Sequence, residues 1–370
     1  MSRMRLDRDT VEAAVLGGAV LGGGGGGSMD EGRRHGAIAI EWGAPDLIDI
    51  EDLPPDATIV TASAVGSPAS RTAYSLPAHY VRAVELLARE GGITIQGLVT
   101  SECGGIASTN GWVQAAALGI PVVDAPCNGR AHPIALMGSI GLHRLPDYSS
   151  MQAAAGGNPA EGRYLELFVR GKLDKTSAMV LHAAIQSGGM VAVARNPVSA
   201  EYARGHAAVG GLKRAIQVGK AMMGVEDGDP MAIVEAACTE LGGEVAGRGQ
   251  VTQVTLETRG GLDVGTVLVK TGDRETLELT FWNEYMTLEA VSPDSSGPAR
   301  RLATFPDLMS TFDATTGAPL SSALIREGQR IAVIRVPREK LILGAGMKDP
   351  ELMRIVESTV GKEVVKYIFP

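Results

Sequence analysis

The chain has 370 residues and a formal net charge of −8, with 45% hydrophobic and 21% charged residues. These fractions are typical of globular proteins, and the length exceeds what one hydrophobic core usually serves, so we expect two domains. Basic residues form no stripe that would bind nucleic acid, and no apolar run is long enough to cross a membrane. Nucleic acids and membranes are therefore not expected as partners.

Apolar residues in the first half of the chain alternate between two periodicities. Helical spacing predicts helices over residues 9–21, 29–41, 77–89, 111–118 and 132–142. Short buried runs predict strands over residues 46–50, 58–64, 95–101 and 121–125. Strands that alternate with helices at such short intervals indicate a mostly parallel sheet with helices on both faces.

The pattern changes beyond residue 147. Residues 153–157 are small and predict a flexible segment, and helical spacing returns at 177–185, 207–223, 230–241 and 349–361. Alternating runs predict strands over 245–258, 264–271, 276–281, 286–290 and 330–336, with turns at Gly260-Gly261 and Gly272-Asp273. We therefore predict an α/β N-terminal domain over residues 1–170, then a helical connection and a β-rich C-terminal domain, a small barrel or sandwich, over residues 171–370.

The chain contains 3 cysteines, which are Cys103, Cys127 and Cys238. An odd and small number argues against a disulfide framework and for free thiols. No apolar run with a cleavage site follows the first residues, so we expect a cytoplasmic protein. Cys238 lies within a predicted helix and is interpreted as structural.

The other two cysteines lie in loops that follow predicted parallel strands, residues 101–105 and 124–132. Ligands bind beyond the carboxyl ends of such strands, and a right-handed crossover makes consecutive strands neighbours, so Cys103 and Cys127 are expected to face one cleft. A helix is predicted after each cysteine, and its N-terminus would lower the pKa of the thiol. Buried free cysteines are usually small hydrophobes, but this placement favours at least one reactive thiol.

The same two loops carry further candidate residues. Glu102, Asp124 and His132 are candidate proton carriers beside the thiols. Asn128 and Arg130 are candidate substrate-binding residues, and the guanidinium of Arg130 can bind a substrate carboxylate through two hydrogen bonds. The 6 histidines show no close spacing typical of a metal site, and the cysteines form no Cys-x-x-Cys pair, so neither a metal nor a cofactor is predicted.

Consecutive glycines occupy residues 22–27. Neither nucleotide-binding fingerprint is met, because no Gly-Lys-Ser/Thr follows and the run comes after a predicted helix. Glycine allows close backbone approach to a ligand or to another loop. Gly24 and Gly25 in this run, and Gly104 and Gly105 in the first cysteine loop, are therefore interpreted as substrate-binding positions.

Several short segments occur in an order that is similar to one known family. In the first half they are the Gly-rich residues 21–28, Glu-Cys-Gly-Gly at 102–105, Gly-Ile-Pro-Val-Val-Asp-Ala at 119–125 and Gly-Arg-Ala-His-Pro at 129–133. In the second half they are Gly-Thr-Val at 265–267, Trp-Asn-Glu-Tyr at 282–285, Phe-Pro-Asp-Leu at 305–308 and Glu-Gly-Gln-Arg-Ile-Ala-Val at 327–333. By these segments the chain resembles the S-methyl thiohydantoin desulfurase family, once grouped as a domain of unknown function.

The resemblance implies an α/β N-terminal domain and a β-rich C-terminal domain. It also implies a small-molecule substrate, a five-membered thiohydantoin ring with an S-methyl group that arises in the breakdown of methylated ergothioneine. The chain departs from the family pattern in the two loops. Cys103 and Cys127 replace an aliphatic residue and a glycine, Pro126 and Ile134 replace acidic residues, and His132 replaces an aromatic residue. These departures suggest a member that has gained thiol chemistry.

We therefore hypothesise a hydrolytic desulfurase that removes methanethiol to give a hydantoin. Cys103, with Cys127 as the second choice, would attack the ring carbon that carries sulfur, and water would hydrolyse the covalent intermediate. Glu102 or Asp124 would protonate the ring nitrogen, and His132 would relay a proton to the leaving group or activate the water. Two alternatives stay open here, a metal-dependent hydantoinase-like amidohydrolase and a non-catalytic protein that binds a small heterocycle. The sequence is compatible with a homo-oligomer.

Overall fold

The computed structural model describes residues 3–66, 70, 72–259, 262–272, 275–292 and 298–369. The predicted turn at Gly260-Gly261 lies outside these residues, and so does Asp273 of the second predicted turn. The described residues form two sheets of eight strands each. The first sheet contains parallel strands and is covered by helices, and the second is antiparallel throughout, so the predicted combination of an α/β domain and a β-rich domain is confirmed.

The first sheet is parallel at its centre. Its strands are β1 (Met4–Arg5), β2 (Asp46–Ile48), β3 (Thr58–Gly66), β4 (Gly97–Thr100), β5 (Val122–Val123), β6 (Ser150–Gly156), β7 (Leu165–Gly171) and β8 (Met190–Ser199). Their order across the sheet is β1-β2-β5-β4-β3-β8-β6-β7. Strands β2, β5, β4 and β3 run parallel, whereas β1 at one edge and β8, β6 and β7 on the other side pair antiparallel.

The two cysteine loops begin at the same edge of this sheet. Strands β4 and β5 are buried along their whole length, as expected for parallel strands covered on both faces. Leu98 of β4 lies opposite Val122 of β5 in parallel register. The loops 101–105 and 124–132, which leave these neighbouring strands, therefore start side by side.

Ten α-helices lie within the described residues. They are α1 (Arg8–Leu21), α2 (Met29–Trp42), α3 (Pro77–Gly91), α4 (Trp112–Leu118), α5 (Leu173–Gln186), α6 (Ala200–His206), α7 (Gly211–Met223), α8 (Pro230–Leu241), α9 (Pro350–Val360) and α10 (Val365–Ile368). Apolar side chains from α1, α2, α3, α4 and α7 pack with the parallel strands in one core. None of these helices is long and apolar enough to cross a membrane.

The second sheet encloses a core of its own. Its strands are β9 (Glu244–Arg259), β10 (Leu262–Lys270), β11 (Thr276–Trp282), β12 (Glu284–Val291), β13 (Arg300–Thr304), β14 (Leu308–Asp313), β15 (Pro319–Leu320) and β16 (Arg330–Val336). They are ordered β13-β12-β11-β10-β9-β16-β14-β15. Leu279 of β11, Met309 of β14 and Met353 of α9 belong to one buried cluster, so α9 packs with this sheet in a shared core.

The prediction of a helix over residues 132–142 is wrong. This segment forms turns and two short 3-10 helices, Met137–Ser139 and Leu142–Arg144. Ile140 and Gly141 between them have φ angles of 48° and 81°, a left-handed conformation that interrupts a right-handed helix. No α-helix therefore follows Cys127 directly.

Two further predictions differ from the structure. The helix predicted over 207–223 begins only at Gly211, because the separate helix α6 ends at His206. Residues 153–157, predicted to be flexible, lie mostly in the buried strand β6. Ala154 of this strand is buried in one cluster with Val180 and Ala184 of α5. Seven strands were not predicted, namely β1, β6, β7, β8, β13, β14 and β15.

The Gly-rich loop, residues 22–27, is hydrogen-bonded to the second domain. The Tyr285 amide donates to the Gly23 carbonyl at 2.7 Å, and the Ser322 amide donates to the Gly24 carbonyl at 2.9 Å. Segments on both sides of residue 170 form the first sheet, since β8 pairs with both β3 and β6. The domain boundary near residue 170 stays a prediction.

Candidate functional site

Cys103 lies in apolar surroundings. It is fully buried in a cluster with Leu21 and Val218, and its Sγ donates to the Gly211 carbonyl at 3.4 Å. Burial raises the pKa of the Cys103 thiol strongly, and the carboxylates of Asp124 and Glu102 add to the effect. Burial and both neighbouring carboxylates therefore disfavour the thiolate form of Cys103.

Cys127 is equally buried but has different neighbours. Its Sγ lies 3.2 Å from Thr61 Oγ1 and belongs to a separate apolar cluster. Burial raises the pKa of the Cys127 thiol, whereas the Thr61 hydroxyl and the Arg195 charge lower it, and Glu102 raises it. The prediction that helix N-termini lower both thiol pKa values is wrong, because burial dominates and an α-helix directly follows neither cysteine. The structure does not place the two thiols in one cluster.

Glu102 and His132 form the polar contact between the two loops. The His132 amide donates to Glu102 Oε2 at 3.1 Å, and His132 Nε2 lies 3.4 Å from the same oxygen. Burial raises the pKa of Glu102 to about 7, against the backbone bond from His132 and the charges of Arg195 and Arg130. Burial and the Arg195 charge lower the pKa of His132 to about 3. Near neutral pH, Glu102 can therefore exchange a proton while His132 stays neutral.

Arg195 was missed by the sequence analysis. It lies on β8 directly opposite Thr61 of β3, so its side chain emerges beside Cys127. The residue is 4% exposed, and its Nε has no hydrogen-bond partner among the described residues. Burial lowers its pKa, while the neighbouring Cys127 and Glu102 raise it. A guanidinium within an otherwise apolar strand, Met-Val-Ala-Val-Ala-Arg, is the signal that could have identified it.

Arg130 is buried, with one guanidinium nitrogen anchored and another without a hydrogen-bond partner among the described residues. Its Nη1 donates to the carbonyls of Pro306 at 3.1 Å and Asp307 at 2.5 Å, and its guanidinium carbon lies 4.5 Å from the centre of the Phe305 ring. Its Nη2 has no partner among the described residues. Burial lowers the pKa of Arg130 to about 10, opposed by Glu284 and the other nearby carboxylates. The guanidinium stays charged at neutral pH.

Glu284, the first residue of β12, was also missed as a site residue. It is 2% exposed, and its Oε2 has no hydrogen-bond partner in the part of the chain that the structure describes. Burial and the Glu102 charge raise the pKa of Glu284, while Arg130 and the Gly26 amide lower it. The Trp-Asn-Glu-Tyr segment contained this residue, but a single sequence does not show that it reaches the first domain.

The Gly-rich loop contacts both Glu284 and the first cysteine loop. A Cβ on Gly25 would overlap Glu284 Oε1, and a Cβ on Gly24 would press on the Tyr285 ring. Gly26 packs directly on Gly104, so that a Cβ on either residue would overlap the backbone of the other. The predicted close backbone approach is therefore made to protein groups on both sides of the loop.

Gly105 continues this backbone packing. A Cβ on Gly105 would overlap the Gly27 carbonyl oxygen, so the loops 101–105 and 22–27 lie against each other without intervening side chains. The role of Gly24, Gly25, Gly104 and Gly105 in binding a substrate stays a prediction.

Asp124 and Asn128 hold the second cysteine loop in place. Asp124 Oδ1 accepts hydrogen bonds from the amides of Leu212 at 2.8 Å and Lys213 at 3.2 Å, in the first turn of α7. Burial raises the pKa of Asp124 to about 6. Asn128 donates to the Arg130 carbonyl at 2.7 Å and accepts from the Gly344 amide at 3.2 Å. These contacts give both residues a structural task.

We call the group Glu102, Arg130, His132, Arg195 and Glu284 the polar cluster. Its members come from both cysteine loops, from β8 and from β12 of the second sheet. Buried polar atoms in folded proteins almost always have partners, so the unpaired atoms concentrated here indicate a place for a polar ligand. Two guanidiniums can bind anionic or carbonyl oxygens, and the carboxyl groups can move protons. No group of three or more described His, Cys, Asp or Glu residues is arranged to hold a metal ion.

Comparisons with known proteins cover most of the chain. The family model described as the S-Me-THD-like N-terminal domain matches residues 9–160, and the model described as the S-Me-THD-like C-terminal domain matches residues 172–346. An X-ray crystal structure of a protein from Chromobacterium violaceum is similar with a TM-score of 0.69 and 20% identity, covering 98% of this chain and 97% of that one. This likeness shows a shared fold. No curated protein matches the chain at a significant level.

Proposed function

The chain belongs to the S-Me-THD-like family, and from this premise we propose that it is a hydrolase that removes methanethiol from an S-methyl thiohydantoin ring. The observation that carries the proposal is the polar cluster, in which a carboxyl group with a pKa near 7 lies beside two guanidiniums and a neutral imidazole. The substrate is a cyclic isothiourea, and its carbon between nitrogen and sulfur is electrophilic.

In this proposal, ionised Glu102 acts as the general base. It takes a proton from a water molecule as the water oxygen bonds to the ring carbon. The carbon–sulfur bond then breaks, methanethiolate leaves with the proton that Glu102 received, and the second water proton ends on the ring nitrogen as the carbonyl forms. The backbone amide of His132, which donates to Glu102 Oε2 at 3.1 Å, orients the carboxylate. One water is consumed, and the products are a hydantoin and methanethiol.

The arginines would bind the substrate and stabilise its negative charge. Arg195 lies beside Glu102 and Cys127, where its guanidinium can stabilise charge that develops during addition. Arg130 has the unpaired Nη2 for a ring oxygen or for a carboxylate on the ring substituent. Both groups are held in a water-poor environment, where such interactions are stronger than in bulk water.

A covalent route through a cysteine is the alternative to direct attack by water. The surroundings of the thiols favour Cys127 over Cys103 for that route, because only Cys127 has a cation and a hydroxyl that favour its thiolate. Burial nevertheless raises the pKa of both thiols. Direct attack by water with Glu102 as base is therefore the route we propose.

The test uses an S-methyl thiohydantoin that carries a propionate side chain. We expect methanethiol release by the wild-type protein, with no ring adduct in the mass spectrum of the intact protein. Glu102→Gln should lower kcat by about 100-fold or more. The control Glu90→Gln, which changes an exposed carboxylate on α3, should retain full turnover.

Three other outcomes would contradict parts of this proposal. Methanethiol together with an adduct on Cys127 or Cys103 would establish the covalent route instead. Loss of turnover on chelation and its return with added metal would support a metal-dependent amidohydrolase. Tight binding of the ring without any product would indicate a binding protein.

A further inference from the structure

We propose that Glu284 is the acid that protonates the ring nitrogen of the substrate when water adds to the neighbouring carbon. The inference rests on the desulfurase function proposed above, and it gives the second sheet a catalytic task.

The turn before Glu284 fixes the direction in which its side chain leaves the sheet. Asn283 has a φ of 54°, a conformation that non-glycine residues rarely adopt. Its side-chain oxygen accepts from the Asp263 amide at 2.8 Å, and its own amide donates to the Asp263 carbonyl at 2.7 Å. Ser322 Oγ donates to the Asn283 carbonyl at 2.6 Å. Glu284 is therefore presented by a rigid turn.

The carboxyl group of Glu284 has one side packed and one side unpaired. Oε1 lies against Gly25, where the absence of a side chain makes room for it. Oε2 is buried and has no hydrogen-bond partner among the described residues. An unpaired buried oxygen of this kind costs free energy unless a ligand supplies the partner. A ring nitrogen of the substrate would supply it.

Within the described part of the chain, few charged groups face Glu284. They are Arg130 from the loop 124–132 and Glu102 from the loop 101–105, while the Gly-rich loop contributes the Gly26 amide and no titratable side chain. Burial and the Glu102 charge raise the pKa of Glu284 well above its ordinary value. A carboxyl group in this position keeps its proton and can donate a hydrogen bond.

The two carboxyl groups have unequal surroundings. Glu102 interacts with two guanidiniums, from Arg130 and Arg195, and its side chain is 14% exposed. Glu284 interacts with Arg130 alone and is more deeply buried. Because two neighbouring carboxyl groups do not ionise together easily, the proton stays on Glu284 while Glu102 loses its own. One group then acts as acid and the other as base.

The proton balance of the reaction needs both groups. As the water oxygen bonds to the ring carbon, Glu102 takes one water proton and Glu284 gives its proton to the ring nitrogen. The carbon–sulfur bond breaks, and methanethiolate takes the proton from Glu102. The remaining hydroxyl proton returns to the Glu284 carboxylate as the carbonyl forms. The enzyme is restored, and the hydantoin has gained one N–H.

The experiment compares Glu284→Gln with Glu289→Gln, a control on the same strand whose carboxylate pairs with Arg301 and Lys362. The amide of Glu284→Gln can donate a hydrogen bond but cannot transfer a proton. We expect kcat to fall by about 100-fold with KM changed less than threefold, and the falling alkaline limb of the pH–kcat profile to disappear. Glu289→Gln should keep kcat and both limbs.

Two measurements keep failure of this inference apart from failure of the proposed function. Calorimetric binding of the hydantoin product and the thermal midpoint show whether Glu284→Gln is folded and binds the ring. If the wild type releases methanethiol, Glu102→Gln does not, and folded Glu284→Gln keeps wild-type kcat and the alkaline limb, the inference is wrong and the function stands. If the wild type releases no methanethiol, the proposed function is wrong, and the inference that rests on it is wrong as well.

Discussion

Cys103 and Cys127 occupy equivalent places in the fold and differ in what surrounds them. Each lies in the loop after a parallel strand, at one edge of the sheet, and each is fully buried. Cys103 contacts apolar side chains and a carbonyl, whereas Cys127 contacts Thr61 and lies beside Arg195. Position at a strand end therefore does not determine the chemistry of a thiol. The charged neighbours that other elements contribute determine it.

The strand β8 provides the cation that lies beside Cys127. It pairs with β3, on the side of the sheet away from β4 and β5, and brings Arg195 opposite Thr61. Among the strands that the structure describes, none brings a cation to Cys103, whose charged neighbours are the carboxylates of Asp124 and Glu102. Glu102 raises the pKa of both thiols, so it cannot account for the contrast.

Removing Arg195 should have the largest effect. We expect Arg195→Met to lower kcat by about 100- to 1000-fold, because a preorganised cation beside the reacting atoms is lost. The control Arg170→Met, on the exposed side of β7, should stay within twofold of the wild type. Steady-state rates of methanethiol release measure both. An Arg195→Met protein with wild-type kcat would remove the distinction between the two cysteine regions.

Glu102, which lies near both thiols, should control how the free energy of unfolding depends on pH. Glu102 has a pKa of about 7 in the folded chain against an ordinary value of 4.5, so its proton is bound more tightly in the folded state. Its contribution is present below pH 4.5 and is lost as the pH rises through about 7, a change on the order of 1–3 kcal/mol. Urea unfolding between pH 5 and 8 should show this slope in the wild type and a shallower one in Glu102→Gln.

Truncating the two cysteines separates their roles. We expect Cys127→Ala to lower kcat by less than about tenfold, since the thiol lines the polar cluster without forming a covalent bond, and Cys103→Ala to leave kcat within twofold. A loss of more than about 1000-fold in Cys127→Ala would instead favour the covalent route. The same rate assay covers both variants.

Truncating Cys103 should affect stability more than turnover. Cys103→Ala removes a buried sulfur from a packed apolar cluster and should cost about 1 kcal/mol of the free energy of unfolding. Cys103→Ser adds a hydroxyl to the same place, where the Gly211 carbonyl can accept its hydrogen bond. Equal stability of Cys103→Ala and the wild type in urea would show that this packing contributes little.

The smallest effect is expected in thiol labelling, which compares the reactivity of Cys127 and Cys103 directly. Arg195→Met should slow alkylation of Cys127 at pH 8.5 by about threefold to tenfold, because the thiolate loses its neighbouring cation, and should leave Cys103 unchanged. Peptide mapping by mass spectrometry reports both rates in one sample. Equal slowing at both cysteines would point to a general change in access.

Much of the fold could be predicted from sequence because its periodicities are local. The helix α3 and the strands β3 and β4 follow directly from their apolar spacing. The segment 132–142 failed because Ile140 adopts a left-handed conformation that its residue type does not suggest. Local patterns also give no sign of which distant strand will lie beside a given loop.

The candidate site was predictable only where its residues lie in the two loops. Glu102, Arg130 and His132 were identified because they follow parallel strands. Arg195 and Glu284 come from a strand paired antiparallel and from a second sheet, so only the three-dimensional structure brings them to the cluster. In the sequence, Arg195 is marked only by its charge within an apolar strand, and Glu284 only by the short segment Trp-Asn-Glu-Tyr.

The Gly-rich loop has a consequence for how the chain is made. Ser322 Oγ donates to the Gly24 carbonyl across 298 positions of sequence. At translation rates of about 5–20 residues per second, the ribosome needs about 15–60 s to add those residues. For all of that time Gly24 lacks the serine that finally holds it, and for most of that time Glu284, which contacts Gly25, has not been made. The polar cluster is therefore assembled only when most of the protein has left the ribosome.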